Sequence, residues 1–239
     1  MFARFRYPKG PDSIDEHATT VEEAAARMTS ELGDIYRRHS GRPAFKWIDY
    51  IDLYDRHLSS FRETDAVLLE LGVLDGGSLE VWRDYLGPDA TICGIDINPD
   101  CADRVDAPNI VRIGSQADPD FLAKVVAEIG QPSIIIDDGS HIASHQLASF
   151  VSLWPTLAHG GLYVIEDMQT AYWSQWEGGY KRPGTAVSLA KDLIDAMHGW
   201  WHKRGGIVKP TDILAVHQYE SILFIEKGHK AAPKHFRVG

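Results

Sequence analysis

The spacing of hydrophobic residues along this chain changes near residue 66. Before that point the period is helical. TTVEEAAARMTSELGDIYRRH carries an apolar stripe through Ala25, Met28, Leu32 and Tyr36, with Thr19 or Thr20 as cap and acids in the first turn. After a break at Ser40, Gly41 and Pro43, a second helix is predicted over 46–61, with Trp47, Tyr50, Tyr54 and His57 near one face. Such an aromatic stripe reads as core packing, with a lid over a pocket as the alternative.

From residue 66 strands and helices alternate. AVLLELGV, ATICGIDI, NIVRIGS, SIIIDDG and GLYVIED are short and almost continuously apolar, as strands buried on both faces of a parallel sheet are. Helical segments are predicted between them over 77–86, 118–129 and 143–157, giving repeated βα units and a doubly wound α/β sheet. The end differs: DILAVHQYESILFIEKG holds two strand-like runs, 213–219 and 222–227, too close in sequence to be anything but antiparallel neighbours. No repeat, low-complexity tract or linker interrupts the pattern. The expected organisation is one globular unit over 63–239, preceded by a helical extension or lid over 1–62.

Composition narrows the function. A formal charge of −10 on 239 residues argues against general nucleic-acid binding, which needs clustered Lys and Arg. No apolar run approaches the roughly 20 residues of a membrane span, and MFARFRYPKG lacks the apolar stretch of a secretory signal, so a cytoplasmic protein is expected. Cys93 and Cys101 have no metal-ligand spacing, and no disulfide is expected.

The polar clusters fall at strand ends, where open α/β sheets bind ligands. In ELGVLDGGS, Gly72, Gly76 and Gly77 let backbone approach a ligand, and the helix opening near Ser78 presents free amides. Asp96 in GIDINP is placed to accept the two hydroxyls of a ribose. A glycine loop followed by an acid also fits a dinucleotide fold. The spacing here is E-x-G-x-x-x-G-G, however, and the leading Glu70 suits a sulfonium or ammonium group better than a pyrophosphate.

Together, ELGVLDGGSLEVWRDYLG, GIDINP, IIIDDGSH and GGLYVIEDMQTAYW resemble the metal-dependent sugar O-methyltransferases related to the macrocin and mycinamicin enzymes, over residues 46–228. Cephalosporin hydroxylase-like and rhamnosyl O-methyltransferase proteins are looser relatives. The resemblance implies a class I methyltransferase fold, a seven-stranded sheet ending in the antiparallel hairpin. It also implies S-adenosylmethionine as cofactor, held by Glu70 and Gly72 near its methionine part and by Asp96 at the ribose, with Gly114, Ser115 and Gln116 bordering the adenine. An ordinary strand-to-helix loop capped by Ser115 or Asp118 is the plainer account of IGSQAD.

Asp138, Glu166 and Asp167 end neighbouring strands with no basic residue nearby in sequence. Three such carboxylates repel strongly unless a divalent cation joins them, and hard oxygen ligands suit Mg²⁺. The resemblance puts the same three positions on the metal. Asp137 is left over, for the cofactor or a helix amide. His141, on the turn into the next helix, has the type and place of a general base that takes the proton of a sugar hydroxyl. A loop or capping histidine is its bland reading. His145 is a weaker candidate for orienting His141 or the substrate.

Beyond the acids, Trp173, Trp176 and Tyr180 crowd a glycine-rich loop suited either to stacking on a sugar or to a subunit interface. Tyr54 is a further substrate candidate, and Trp200 and Trp201 read as core or interface. The function expected is methylation of a hydroxyl on a saccharide or glycosylated metabolite, such as a methylmannose or rhamnose precursor or an antibiotic sugar, by a possible homo-oligomer. A hydroxylase-like enzyme, a nicotinamide-dependent oxidoreductase and a non-enzymatic nucleotide-binding protein are the alternatives.

Overall fold

The computed structural model describes residues 21–202 and 212–239. Its centre is a seven-stranded sheet in the order β3-β2-β1-β4-β5-β7-β6. The strands are β1 (Val67–Leu71), β2 (Thr91–Asp96), β3 (Ile110–Ile113), β4 (Ile134–Asp137), β5 (Leu162–Ile165), β6 (Ile213–Gln218) and β7 (Leu223–Lys227). The first five run parallel, and β7 enters antiparallel between β5 and β6. This is the doubly wound sheet with a terminal hairpin that the alternating pattern predicted, and the class I methyltransferase fold that the resemblance implied. Strand order reverses at β1, which pairs with both β2 and β4, so the switch-point crevice opens beyond Leu71 and Asp137.

Helices α1 (Val21–Arg27), α2 (Glu31–Arg38), α3 (Ile48–Leu58) and α4 (Gly77–Leu86) cover one face of the sheet. Helices α5 (Pro119–Ile129), α6 (Ala143–Leu153) and α7 (Ala186–Met197) cover the other. Leu32, Ile35, Tyr50, Tyr54 and Leu58 share one core with Leu68, Ile134, Val164 and Phe224. The described helices before residue 63 are thus a layer of the fold.

Three sequence expectations change. The single helix expected through Met28 breaks into α1 and α2, because Ser30 caps α2 at the Gly33 amide and Thr29 and Ser30 both bond the Asp52 carboxylate on α3. Thr19 and Thr20 lie outside the described residues. The strand at 110–113 is not buried on both faces, because it is the sheet edge. Trp200 and Trp201 stand exposed, so the core reading of that pair fails. Cys93 and Cys101 are both buried and free. Among the described residues no helix is long and apolar enough to cross a membrane.

Candidate active site at the carboxyl edge of the sheet

Ladder hydrogen bonds carry past the strand ends and set the site. The Gly72 amide donates to Ile95, Asp138 to Leu71, Glu166 to Asp137 and Gly114 to Asp96, so all the polar loops leave the sheet at one level. Gly72 has φ 99°, and a Cβ there would lie 2.3 Å from the Asp138 carbonyl oxygen, which only glycine avoids.

Two pockets of polar groups result. The first is a cavity of about 200 Å³ lined by Gly72, Asp96, Gly114, Ser115, Gln116 and Gly139, with Ser140 and His145 at its rim. The Asp96 carboxylate accepts from the amides of Val73 (2.9 Å), Leu74 (3.2 Å) and Asn98 (2.8 Å). Burial pushes its pKa up, but these three donors outweigh burial and leave it below the ordinary carboxylate value. Gln116 is clamped from behind: its amide nitrogen donates to Asp137 at 3.0 Å and its oxygen accepts from the Ser140 amide at 2.7 Å.

Several of the residues expected at the cofactor are enclosed by the chain itself. Asp137 is fully buried against Gln116, Ser149 and Tyr163, with its pKa pushed up to about 6 by burial, so it faces no ligand and serves to hold Gln116. Glu70, also buried, accepts from Ser78 Oγ (2.6 Å) and Trp82 Nε1 (3.2 Å). Gly76 packs on Arg104 and Val105, and the Arg42 and Pro43 carbonyls cross within 2.3 Å of where a Gly77 Cβ would stand. The start of α4 is thus roofed by chain. Asp118 caps α5, as the plainer account of that loop foresaw, while Ser115 and Gln116 still line the cavity.

The second pocket is the acid cluster, and it contains a residue that sequence reasoning missed. Lys46, just ahead of α3, donates to both Asp138 and Glu166 and lies 3.6 Å from Glu70. Its side chain is 2% exposed. Burial alone would lower its pKa, but the surrounding carboxylates reverse the sign and keep it charged. One ammonium does not balance Glu70, Asp138, Glu166 and Asp167. Burial, with Asp138 beside it, accordingly pushes Glu166 up to about 8 despite the Lys46 contact. Tyr54 is buried and donates to Glu166 at 2.5 Å, so it supports an acid and is withdrawn as a substrate contact. The repulsion expected among the acids is real but partly met from within the chain.

Asp138, His141 and Asp167 form the open side of this cluster, each offering one ligand atom with all three atoms within 4.8 Å of one another. Asp167 Oδ1 accepts from Trp47 Nε1 at 3.0 Å and from the Tyr50 hydroxyl at 3.3 Å, while Oδ2 lies 3.6 Å from His141 Nε2. His141 Nδ1 is buried without a partner. His141 (φ 56°) and Asp167 (φ 52°) both hold left-handed backbone, uncommon for non-glycine residues, at the two turns that aim them together. Half-open carboxylates from Asp138 and Asp167, with Glu166 behind them, are the hard-oxygen donor set that Mg²⁺ takes, so these residues fit that ion.

His145 bonds Ser140 Oγ at 2.9 Å and lines the first cavity. Trp173 and Tyr180 are exposed on the loop after β5, and Trp173 packs against Trp176 with ring centres 5.3 Å apart. Tyr180 also lines a second cavity of about 350 Å³ with Tyr172, Lys181, Arg182 and Lys191.

Comparison with known proteins places this geometry. No family model matches the chain. The 8-demethyl-8-(2-methoxy-alpha-L-rhamnosyl)-tetracenomycin-C 3'-O-methyltransferase of Streptomyces olivaceus is 34% identical, over 87% of this chain and 56% of the relative. The mycinamicin VI 2''-O-methyltransferase of Micromonospora griseorubida is 39% identical, over 73% and 47%. Demethylmacrocin O-methyltransferase of Streptomyces fradiae is 32% identical, over 92% and 60%. The chain spans about half the length of the curated relatives it matches. Among solved structures, the MycE methyltransferase of mycinamycin biosynthesis in complex with Mg and SAH superposes with a TM-score of 0.73 at 35% identity, covering 83% of this chain and 54% of that one. The homologues of this chain are macrocin-, mycinamicin- and tetracenomycin-type sugar O-methyltransferases.

Proposed function

We propose, from that homology and from the convergence of Asp138, His141 and Asp167 beside the Asp96 cavity, that this chain methylates a hydroxyl of a sugar on a glycosylated small molecule. S-adenosylmethionine is the methyl donor, and its sulfonium supplies an already activated methyl group. The convergence carries the reading, since it sets a base and half-open carboxylates next to a cavity suited to a nucleoside.

Asp96 receives the ribose hydroxyls, and Ser115 and Gln116 border the base, with Asp137 fixing the Gln116 amide. Gly72 keeps that wall thin enough for the donor to approach. Asp138 and Asp167, with Glu166 beside them, would hold a Mg²⁺ ion, which would supply Lewis acidity to ease deprotonation of the sugar hydroxyl. His141 takes the proton at Nε2, since Nδ1 is buried, and Asp167 Oδ2 at 3.6 Å steadies the imidazolium that forms. Trp47 and Tyr50 hold Asp167 in place for that task. Trp173, Trp176 and Tyr180 offer aromatic faces to the acceptor from the loop after β5. Residues 63–239 form the unit that binds the cofactor, and the helices before it close the acid cluster through Lys46, Trp47, Tyr50 and Tyr54.

Transfer of labelled methyl from S-adenosylmethionine to rhamnosyl- or deoxysugar-bearing antibiotics tests this reading, with Mg²⁺ present and then with EDTA. Transfer is expected only with the ion, and His141→Ala is expected to slow it by about 10²–10⁴ while leaving cofactor affinity unchanged. Calorimetry showing no binding of S-adenosylhomocysteine would contradict the proposal. An unchanged rate in His141→Ala would remove the base.

A further inference from the structure

One turn beyond Tyr54 on the same face of α3, a second set of metal-ligating side chains meets where that helix crosses the terminal hairpin. His57 comes from the last turn of α3, His217 from β6 and Glu226 from β7. One ligand atom from each lies within 4.8 Å of the others. The pairing of β6 with β7 sets His217 opposite Phe224 and Glu226 opposite Ala215, so His217 and Glu226 are diagonal neighbours on the sheet face that α3 covers. Their side chains are joined by a 2.7 Å hydrogen bond between Nε2 and Oε1.

His57 is held in place independently of the other two. Its ring stacks on Phe224 at 4.4 Å between centres, and its Nε2 lies 3.1 Å from the Tyr219 hydroxyl. The His57 and His217 rings are 4.6 Å apart. Burial, with His217 and Arg56 adding to it against Glu226, holds His57 below its ordinary pKa. A neutral imidazole is the form that donates a lone pair to a metal.

We propose that His57, His217 and Glu226 form a binding site for a transition-metal dication, Zn²⁺ foremost, separate from the acid cluster. Two imidazoles and one carboxylate are a donor set that Zn²⁺ takes in tetrahedral sites and that Mg²⁺ does not favour. Bonds of about 2.0–2.2 Å hold tetrahedral ligands ~3.3 Å apart, so the ion draws each pair inward by at most ~1.5 Å. Partly exposed side chains make that movement through their own torsions. Binding replaces the hydrogen bond between His217 and Glu226. The ion would clasp α3 to the hairpin, and α3 is the helix whose Tyr50 and Tyr54 bond Asp167 and Glu166.

Chelator-treated protein is titrated with Co²⁺ as a visible-absorbing probe, and then with Zn²⁺ in competition, all with excess Mg²⁺ to occupy the acid cluster. One Co²⁺ per chain is expected, giving tetrahedral absorption bands that Zn²⁺ abolishes, together with a rise in Tm. His57→Ala and His217→Ala are expected to weaken binding at least about tenfold, a modest share of what one ligand contributes. Glu226→Gln, which preserves shape, should weaken it as well, and Asp138→Asn should leave it intact. Circular dichroism of the metal-free variants establishes that each is folded. Co²⁺ binding that survives His57→Ala and His217→Ala, or that vanishes in Asp138→Asn, would overturn the proposal.

Discussion

Asp96 and the acid cluster of Asp138, Glu166 and Asp167 sit at the same edge of the same sheet, yet their charges are balanced in opposite ways. Asp96 is satisfied locally: the amides of Val73, Leu74 and Asn98 point at its carboxylate and hold its pKa down despite burial. The cluster has no such backbone cradle. Its cation is Lys46, which lies 92 residues from Asp138 and 120 from Glu166 in sequence. Burial, with Asp138 beside it, pushes the Glu166 pKa up even though Lys46 pulls the other way. A carboxylate met by backbone donors is a finished binding group, whereas acids that share one buried lysine still favour a further cation.

The largest expected effect comes from removing that lysine. Lys46→Met strips the Lys46 ammonium from carboxylates buried beside it and is expected to destabilise the fold by about 3–5 kcal/mol in EDTA. Adding Glu166→Gln to it should restore part of the loss, and Mg²⁺ should stabilise Lys46→Met more than the parent. Denaturant unfolding with and without the ion measures both. An unchanged unfolding free energy would mean that Lys46 is not the counter-ion.

A smaller effect is expected on the other side of the comparison. Asp96→Asn keeps the shape of the loop but removes the charge, and should raise the S-adenosylhomocysteine Kd by about 10- to 100-fold, equivalent to ~1.5–3 kcal/mol. Calorimetry reads this directly. If the Kd did not move, Asp96 would be a loop-stabilising residue and the ribose would lie elsewhere.

The same contrast explains what could be read from the sequence. The five parallel strands and the hairpin were legible because apolar runs bounded by glycine and acids report strand ends wherever they occur. The acids of IIIDDGSH and VIEDMQ were legible as a cluster, since parallel neighbours bring their carboxyl ends together. Which of them faces outward was not. Asp137 and Asp138 are adjacent, and only the alternation of the strand decides that the first turns inward to Gln116 and Ser149 while the second meets Lys46.

Lys46 itself carried no local signal, because its partners lie on strands far along the chain. Tyr54 was placed on the correct helix face, but that face packs on the sheet, where its hydroxyl reaches Glu166 instead of a substrate. Asp52, which breaks the first helix by bonding Thr29 and Ser30, acts across 22 to 23 residues and was equally invisible.

The central claim is that the open carboxylates at the ends of β4 and β5 hold a divalent cation beside the cofactor. Titration of Mg²⁺ into the S-adenosylhomocysteine complex, for the parent chain and for the paired Asp138→Asn and Asp167→Asn variant, tests it most directly. The account predicts one ion per chain in the parent and none in the folded variant. Equal Mg²⁺ binding by both, or none by the parent, would contradict it.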